Sequence, residues 1–409
     1  MSLRILLLLL VSPCALAGNY LPDPDLVAQS IAQQPDVRAA EARVRGAQAQ
    51  ARMHTVGSHE FEVSGARQRH KVEEMSGIDR YAEWELQVSR RLRLPGKAKL
   101  DSAIGRHGLE AAQAQLEDAR HQAARRLLQR WVGWLRAAAV AEEAERQYTS
   151  LRRERDALQR RVELGDAAHK DLDLIEVERA QADAQRLAAD SARDNARRSI
   201  AIDFPQLPLP GRPPALPEPV ALAEDDALWI KRIIDRSHEI GALASIAEQQ
   251  EAVAARARAD RVPDPSLGLR VLNERGGADS IIGVVFSVPI GGRYRRALGA
   301  AETAEASARY DDIAMMTREI ARDAELAVSD ACSTLRQWRA QQAAREASLA
   351  ANTRQHRGWK LGELSLAEWL LAERNSRQIS LAEIMARADA TEAHLRVLVD
   401  SHELWHARD

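Results

Sequence analysis

Apolar residues recur every three or four positions through most of this chain and alternate every second position in two short stretches. Leu109, Ala112, Leu116, Ala119, Ala123, Leu127, Trp131, Trp134, Ala138 and Ala141 keep the longer period. They fall on one stripe of a helix, and the run predicts a coiled-coil seam. No proline interrupts Lys97 to Glu163, and one helix over that span would be about 100 Å long at ~1.5 Å per residue. A similar helix returns from beyond Gly165-Asp166 to about Ile202. The second half repeats the seam with Tyr310, Ile313, Thr317, Ile320, Ala324, Ala327, Ala331 and Trp338, then with Leu381, Ile384, Ala388, Thr391, Leu395 and Leu398. Two long helical hairpins are predicted, over 97–203 and 293–406.

The shorter period marks strands with one wet and one dry face. Phe61-Glu62-Val63-Ser64-Gly65 and Trp84-Glu85-Leu86-Gln87-Val88-Ser89 predict strands at about 60–67 and 81–92, and Glu73 to Asp79, with Ser76-Gly77, reads as the loop between them. Strands at about 266–273 and 280–288 are joined by the turn-rich Asn273-Glu274-Arg275-Gly276-Gly277. Leu94-Pro95-Gly96-Lys97 closes the first strand pair and starts a helix, and Pro289-Ile290-Gly291-Gly292-Arg293 does the same for the second. Residues 204–220 hold Pro205, Pro208, Pro210, Pro213, Pro214, Pro217 and Pro219 and read as an extended linker. The chain therefore divides into a first repeat, 18–203, and a second, 221–409, each in the order helix, β-hairpin, long helical hairpin. The reversal points are Arg161-Val162-Glu163-Leu164-Gly165-Asp166 and Gly358-Trp359-Lys360-Leu361-Gly362-Glu363. Gly supplies the left-handed conformation that a helix C-terminus needs.

Composition narrows the class. The chain has 409 residues, 4% of them aromatic and 29% charged, which suits long helices meeting through small-residue seams better than a compact globule. A net charge of −2 gives no reason to expect a nucleic-acid partner. Arg4, the apolar run Ile5 to Val11 and Ala15-Leu16-Ala17 before Gly18 read as a secretory signal over 1–17. Cys14 raises lipid attachment as a second reading, although Pro13 stands where a small residue is wanted. The mature chain then keeps one thiol, Cys332, and no internal disulfide. No later segment reads as a membrane-spanning helix.

The duplicated order, carried by Val162 to Ala180, Trp359 to Ala372, Pro263 to Leu269, Phe286 to Arg293 and Leu92 to Lys97, resembles the TolC-like outer membrane efflux family. Within it the chain resembles the outer membrane components of CzcC-type heavy-metal exporters. The resemblance implies a mainly α fold with a small β part, in which a homotrimer builds an α-barrel and a 12-stranded transmembrane β-barrel set in outer membrane lipid. It implies a passive exit duct, without cofactor, that works with a periplasmic adaptor and an inner-membrane pump of the resistance-nodulation-division type. It assigns adaptor docking to Val162, Leu164, Gly165, Asp166, Ala167, Leu361, Gly362, Glu363, Leu364 and Ser365. It also makes Glu368 an acidic pore gate, with Asp171 at the matching position of the first repeat. A second gate acid of the family corresponds here to Leu371.

Other chemistry is sparse. His402-Glu403-Leu404-Trp405-His406 spells the H-E-x-x-H of zinc metalloproteases, which needs both His on one helix face. Only three residues follow it, so a downstream third ligand is not expected, and Trp405 continues the heptad from Leu398. The motif reads as a polar patch at a helix end. His54, His59, His70, His107 and His121 share no ligand spacing and read as surface residues, so no metal site is assigned. The alternative to a channel is a periplasmic coiled-coil adaptor or scaffold with no barrel. It is disfavoured by the strand pairs that occur in both repeats.

Overall fold

A computed structural model describes residues 20–75 and 77–406. The expected signal sequence and Cys14 lie outside them. In chain order the elements are α1 (Pro24–Ala32), α2 (Pro35–Val56), β1 (Phe61–Glu74), β2 (Gly77–Arg91), α3 (Lys97–Glu163), α4 (His169–Asp203), α5 (Asp226–Asp235), α6 (His238–Ala259), β3 (Ser266–Glu274), β4 (Asp279–Ser287), α7 (Arg293–Lys360) and α8 (Leu366–Asp400). A short 3-10 turn, Arg275–Gly277, links β3 and β4. The two longest helices run 67 and 68 residues without a break. Among the described residues no helix is long and apolar enough to cross a membrane.

The contacts divide the chain into two compact units. One contains Ala39–Asp118 and Ser237–Glu319. Its centre is an antiparallel sheet in the order β1-β2-β3-β4, which leaves β1 and β4 as edge strands. The register aligns Val63, Val88, Leu269 and Val284 in one row across all four strands. Gly65, Leu86, Val271 and Ile282 form the next row. Because side chains alternate faces, the opposite surface carries Ser64, Gln87 and Arg270.

The first hairpin is longer than the sequence pattern predicts. Pairing continues to Glu74↔Gly77, so the loop expected over Glu73 to Asp79 is mostly strand. The charged run from Arg67 to Lys71 hides this extension because it breaks the apolar alternation. The strand holds through polar pairing instead: Gln68 Nε2 donates to Glu83 at 2.9 Å, and His70 Nδ1 lies 2.9 Å from the same carboxylate.

Below the sheet, a buried ion cluster ties the start of α3 to the segment leading into β3. Lys97 is 3% exposed, and its ammonium donates to Asp260 Oδ1, Asp264 Oδ1 and the Val262 carbonyl, each at 2.8 Å. All three of its donors are therefore used. Arg256 bonds Asp101 at 2.7 Å and also pairs with Asp260. Burial alone would raise the Asp264 carboxyl, but hydrogen bonds from Lys97 and the Leu94 N–H outweigh it and hold the pKa below the ordinary value.

The other unit contains the residues up to Arg38, Ala119–Arg236 and those from Ile320 onward. Its interior is the predicted seam. Ala123, Leu127, Trp131 and Trp134 of α3 are buried, as are Ala324, Ala327 and Ala331 of α7 and Ile384, Ala388 and Leu395 of α8. Trp131 and Trp134 meet edge to face at 5.3 Å, and Trp131 Nε1 donates to the Tyr20 carbonyl at 2.8 Å. Trp229 and Ile233 of α5 pack onto Ala327, Val328 and Val397.

One expected boundary is corrected here. The last helix ends at Asp400, not at 406. The Glu403 N–H donates back to the Leu398 carbonyl at 2.8 Å and the His402 N–H to Val399 at 3.0 Å, with His402 at φ 61. This is a Schellman stop made without glycine, and it removes Trp405 from the seam.

The Lys97 cluster generates a prediction. Lys97→Met leaves the buried Asp264 carboxylate without its ammonium partner, while Asp260 keeps Arg256, and breaking a buried pair this way costs about 3–5 kcal/mol. The purified protein should show a correspondingly lower thermal midpoint. Lys99→Met, made one half-turn away as a control, should not.

Candidate functional site

The two turns that reverse the long helices are built alike. At the first, the Gly165 N–H donates to Val162 at 2.9 Å and the Asp166 N–H to Arg161 at 2.7 Å. At the second, Gly362 donates to Trp359 at 3.0 Å and Glu363 to Gly358 at 2.9 Å. Both glycines sit at φ 79. This is the same Schellman motif twice, and the left-handed residue is Gly because a Cβ there costs roughly 1–2 kcal/mol.

Under the turns lies one apolar cluster shared by both hairpins. Leu151 and Leu158 of α3, Ile175 and Ala182 of α4, and Leu366, Trp369 and Leu370 of α8 are buried together. Trp359 stacks on Trp369 with centroids 4.6 Å apart, and His356 stacks on Trp359 at 5.7 Å and lies tilted against Trp369 at 4.8 Å. Polar links reinforce it: Glu154 lies 3.1 Å from both His356 and Lys360, and buried Glu178 lies 3.3 Å from Arg374. His356, Trp359 and Trp369 carry the joint between hairpins, and the sequence reading missed that role. The available signal was two tryptophans on either side of Gly362.

The predicted docking residues divide by exposure. Leu164 and Leu361 are 83% and 64% exposed, large apolar side chains at the crest of each turn. Gly165, Asp166, Gly362, Glu363 and Ser365 are exposed beside them, and Asp166 lies 3.2 Å from Arg161. Val162, Ala167 and Leu364 are half-buried. Ala167 packs on the apolar cluster, while Leu364 lies so close to Gly358 that a Cβ there would come within 3.2 Å of it.

The two acids expected at the gate, Glu368 and Asp171, differ more than their matching positions imply. Glu368 is the N3 residue of α8 and closes a capping box with Ser365. Its carboxylate accepts from the Ser365 N–H and hydroxyl, each at 2.8 Å, while the Ser365 hydroxyl accepts from the Glu368 N–H. The Ser365 backbone bond and then its hydroxyl bond hold the Glu368 pKa below its ordinary value. Asp171 stands at the same place in α4, but the N-cap there is Ala168, with no side-chain bond.

The H-E-x-x-H residues do not form a helical ligand pair. His402 and Trp405 have φ of 61 and 56, the two imidazoles stack at 4.2 Å, and Glu403 bonds Arg236 at 2.9 Å. The i, i+4 presentation that the protease chemistry needs is lost where the helix stops.

No family model matches the chain, and no curated protein matches it. Solved structures do. The outer-membrane channel OprN matches with a TM-score of 0.78 at 20% identity, covering 94% of this chain and 91% of that one. CusC matches with a TM-score of 0.75 at 15% identity, covering 92% and 91%. The CmeC outer membrane channel of Campylobacter jejuni matches with a TM-score of 0.72 at 15% identity, covering 92% and 84%. The chain has the TolC-like fold. At these identities the similarity is one of fold.

The unequal caps give a prediction. Ser365→Ala should cost about 1 kcal/mol and speed amide exchange in the first turn of α8, whereas Ala168→Ser should slow exchange in α4. A carboxylate with a depressed pKa contributes stability that is present above its unfolded pKa and lost as pH falls through the folded one. Protection of the α8 first turn should therefore fall on acidification below the ordinary carboxylate range, and that of α4 should respond less.

Proposed function

We propose that this chain is the outer membrane channel of a tripartite efflux system, a passive duct with no reaction of its own. One observation carries the reading: the sheet wears its apolar residues outward. Val63 is 65% exposed, Ile282 77%, Val284 71% and Phe286 66%. The other face is mixed: Ser64, Glu85, Gln87, Ser89 and Arg270 share it with Leu272, Ile281 and Val285. Water inverts this preference, and a bilayer requires it, with lipid outside and a wet lumen inside. A four-stranded sheet with two open edges cannot satisfy its backbone in hydrocarbon. Three copies supply twelve strands and close the barrel. The homotrimer lies in the outer membrane and extends into the periplasm.

The rest follows from the fold family and the tips. The crest residues Leu164 and Leu361, with Asp166, Glu363 and the flanking turn residues, dock a periplasmic adaptor, which couples the duct to a resistance-nodulation-division pump. Glu368, with Asp171, lines the periplasmic entrance, where three copies of each acid favour cations. The cargo is heavy-metal cations, as in the CzcC-type exporters that the sequence resembles.

Val284→Lys places a charge at the middle of the apolar band, where a lipid-facing lysine costs about 2–4 kcal/mol. It should abolish recovery of an SDS-resistant oligomer from the outer membrane fraction, and Gln87→Lys on the opposite face should not. A wild-type chain recovered as a soluble monomer would instead favour a periplasmic scaffold. Glu368→Gln keeps the capping geometry but removes the charge. In planar bilayers it should lower cation selectivity, and unchanged reversal potentials would remove Glu368 from the gate.

A further inference from the structure

Within one unit, α3 and α6 bring together three ligand-type side chains, two of them neighbours on α3 and the third distant in sequence. His107 and Glu110 stand one turn apart on α3, and Glu248 faces them from α6. His107 Nδ1 lies 2.8 Å from Glu248 Oε2 and 3.0 Å from Glu110 Oε2. The three ligand atoms all fall within 4.8 Å of one another. The helices approach closely at this level: a Cβ on Gly108 would stand 2.6 Å from Gln249 Nε2.

The ring nitrogen is the informative atom. His107 Nδ1 is shut off from solvent and makes no aligned hydrogen bond, although two carboxylate oxygens sit within 3.0 Å of it. Its other nitrogen, Nε2, lies 2.8 Å from Arg106 Nη2. A guanidinium only donates, so Nε2 accepts and the ring proton resides on Nδ1. Two anionic oxygens thus stand close to a buried nitrogen that makes no aligned hydrogen bond with either. Glu110 and Glu248 are partly exposed, with side chains 40% and 55% accessible, so an ion can enter from water.

We propose that His107, Glu110 and Glu248 form a binding site for a borderline divalent transition-metal cation, of which Zn2+ is the probe. One imidazole and two carboxylates suit that class, whereas Mg2+ and Ca2+ want oxygen donors alone. On binding, the Nδ1 lone pair takes the cation and the ring proton moves to Nε2, with no net proton released from the imidazole. Arg106 must then leave Nε2. It is largely exposed and already bonds Glu110 Oε1 at 3.0 Å, where it remains as an outer partner of a ligand carboxylate. Arg106 therefore competes with the metal for the ring. Three protein ligands leave a position open to water, which makes the site exchangeable. Nothing in this site depends on the channel reading.

The test is calorimetric titration of tag-free, full-length protein with ZnCl2 in a buffer containing excess Mg2+. One site per chain is expected. His107→Ala and Glu248→Gln should each weaken it by more than about tenfold, since even outer-shell changes at metal sites cost 10–100-fold. Arg106→Ala should tighten it by several-fold, a gain that loss of folding cannot mimic. Absence of Zn2+ binding in the presence of Mg2+, an unchanged affinity in His107→Ala, or weaker binding in Arg106→Ala would each overturn the assignment. Bilayer conductance of His107→Ala, expected to be unchanged, separates failure of this site from failure of the duct.

Discussion

Hydrogen bonding at a sheet edge sets the terms for this molecule. Four strands pair with one another, and the outer sides of β1 and β4 still present rows of backbone donors and acceptors. In water such edges are tolerable, but Val63, Val88, Leu269 and Val284 make the adjoining surface apolar. In hydrocarbon each unpaired backbone group costs several kcal/mol. Placed in a bilayer as proposed, a chain with this surface would need other strands to cover its edges. The long hairpins inherit the requirement, because a seam of alanines buries little area per residue and gains stability through length and repetition rather than through bulk.

Much of this was legible in order and spacing. The duplicated glycines, the period-two stretches and the proline-rich joint at 204–220 are local signals, and each has a local physical cause. What escaped depends on contacts between distant residues. The strand extension through His70 rests on Glu83, across the hairpin. The cluster at His107 needs Glu248 from another helix, so no spacing rule within α3 could find it. The helix bound expected at 406, with Trp405 in the seam, failed for the converse reason: the pattern is local, but the helix stops at Asp400 and φ turns positive at His402.

Glu368 has a structural role that would also serve the gate proposed for it. Its carboxylate accepts from the Ser365 N–H and hydroxyl, which fixes its position and favours the ionised form. A gate charge of the kind proposed would benefit from that fixation, since a preoriented anion loses little freedom when an ion approaches. Asp171 lacks the serine and so lacks the fixation.

The same substitution, Ala168 where the other half has Ser365, has a mechanical consequence. The first turn of α8 is clamped by a reciprocal side-chain bond and the first turn of α4 is not, so the two returning helices meet thermal fraying with unequal resistance.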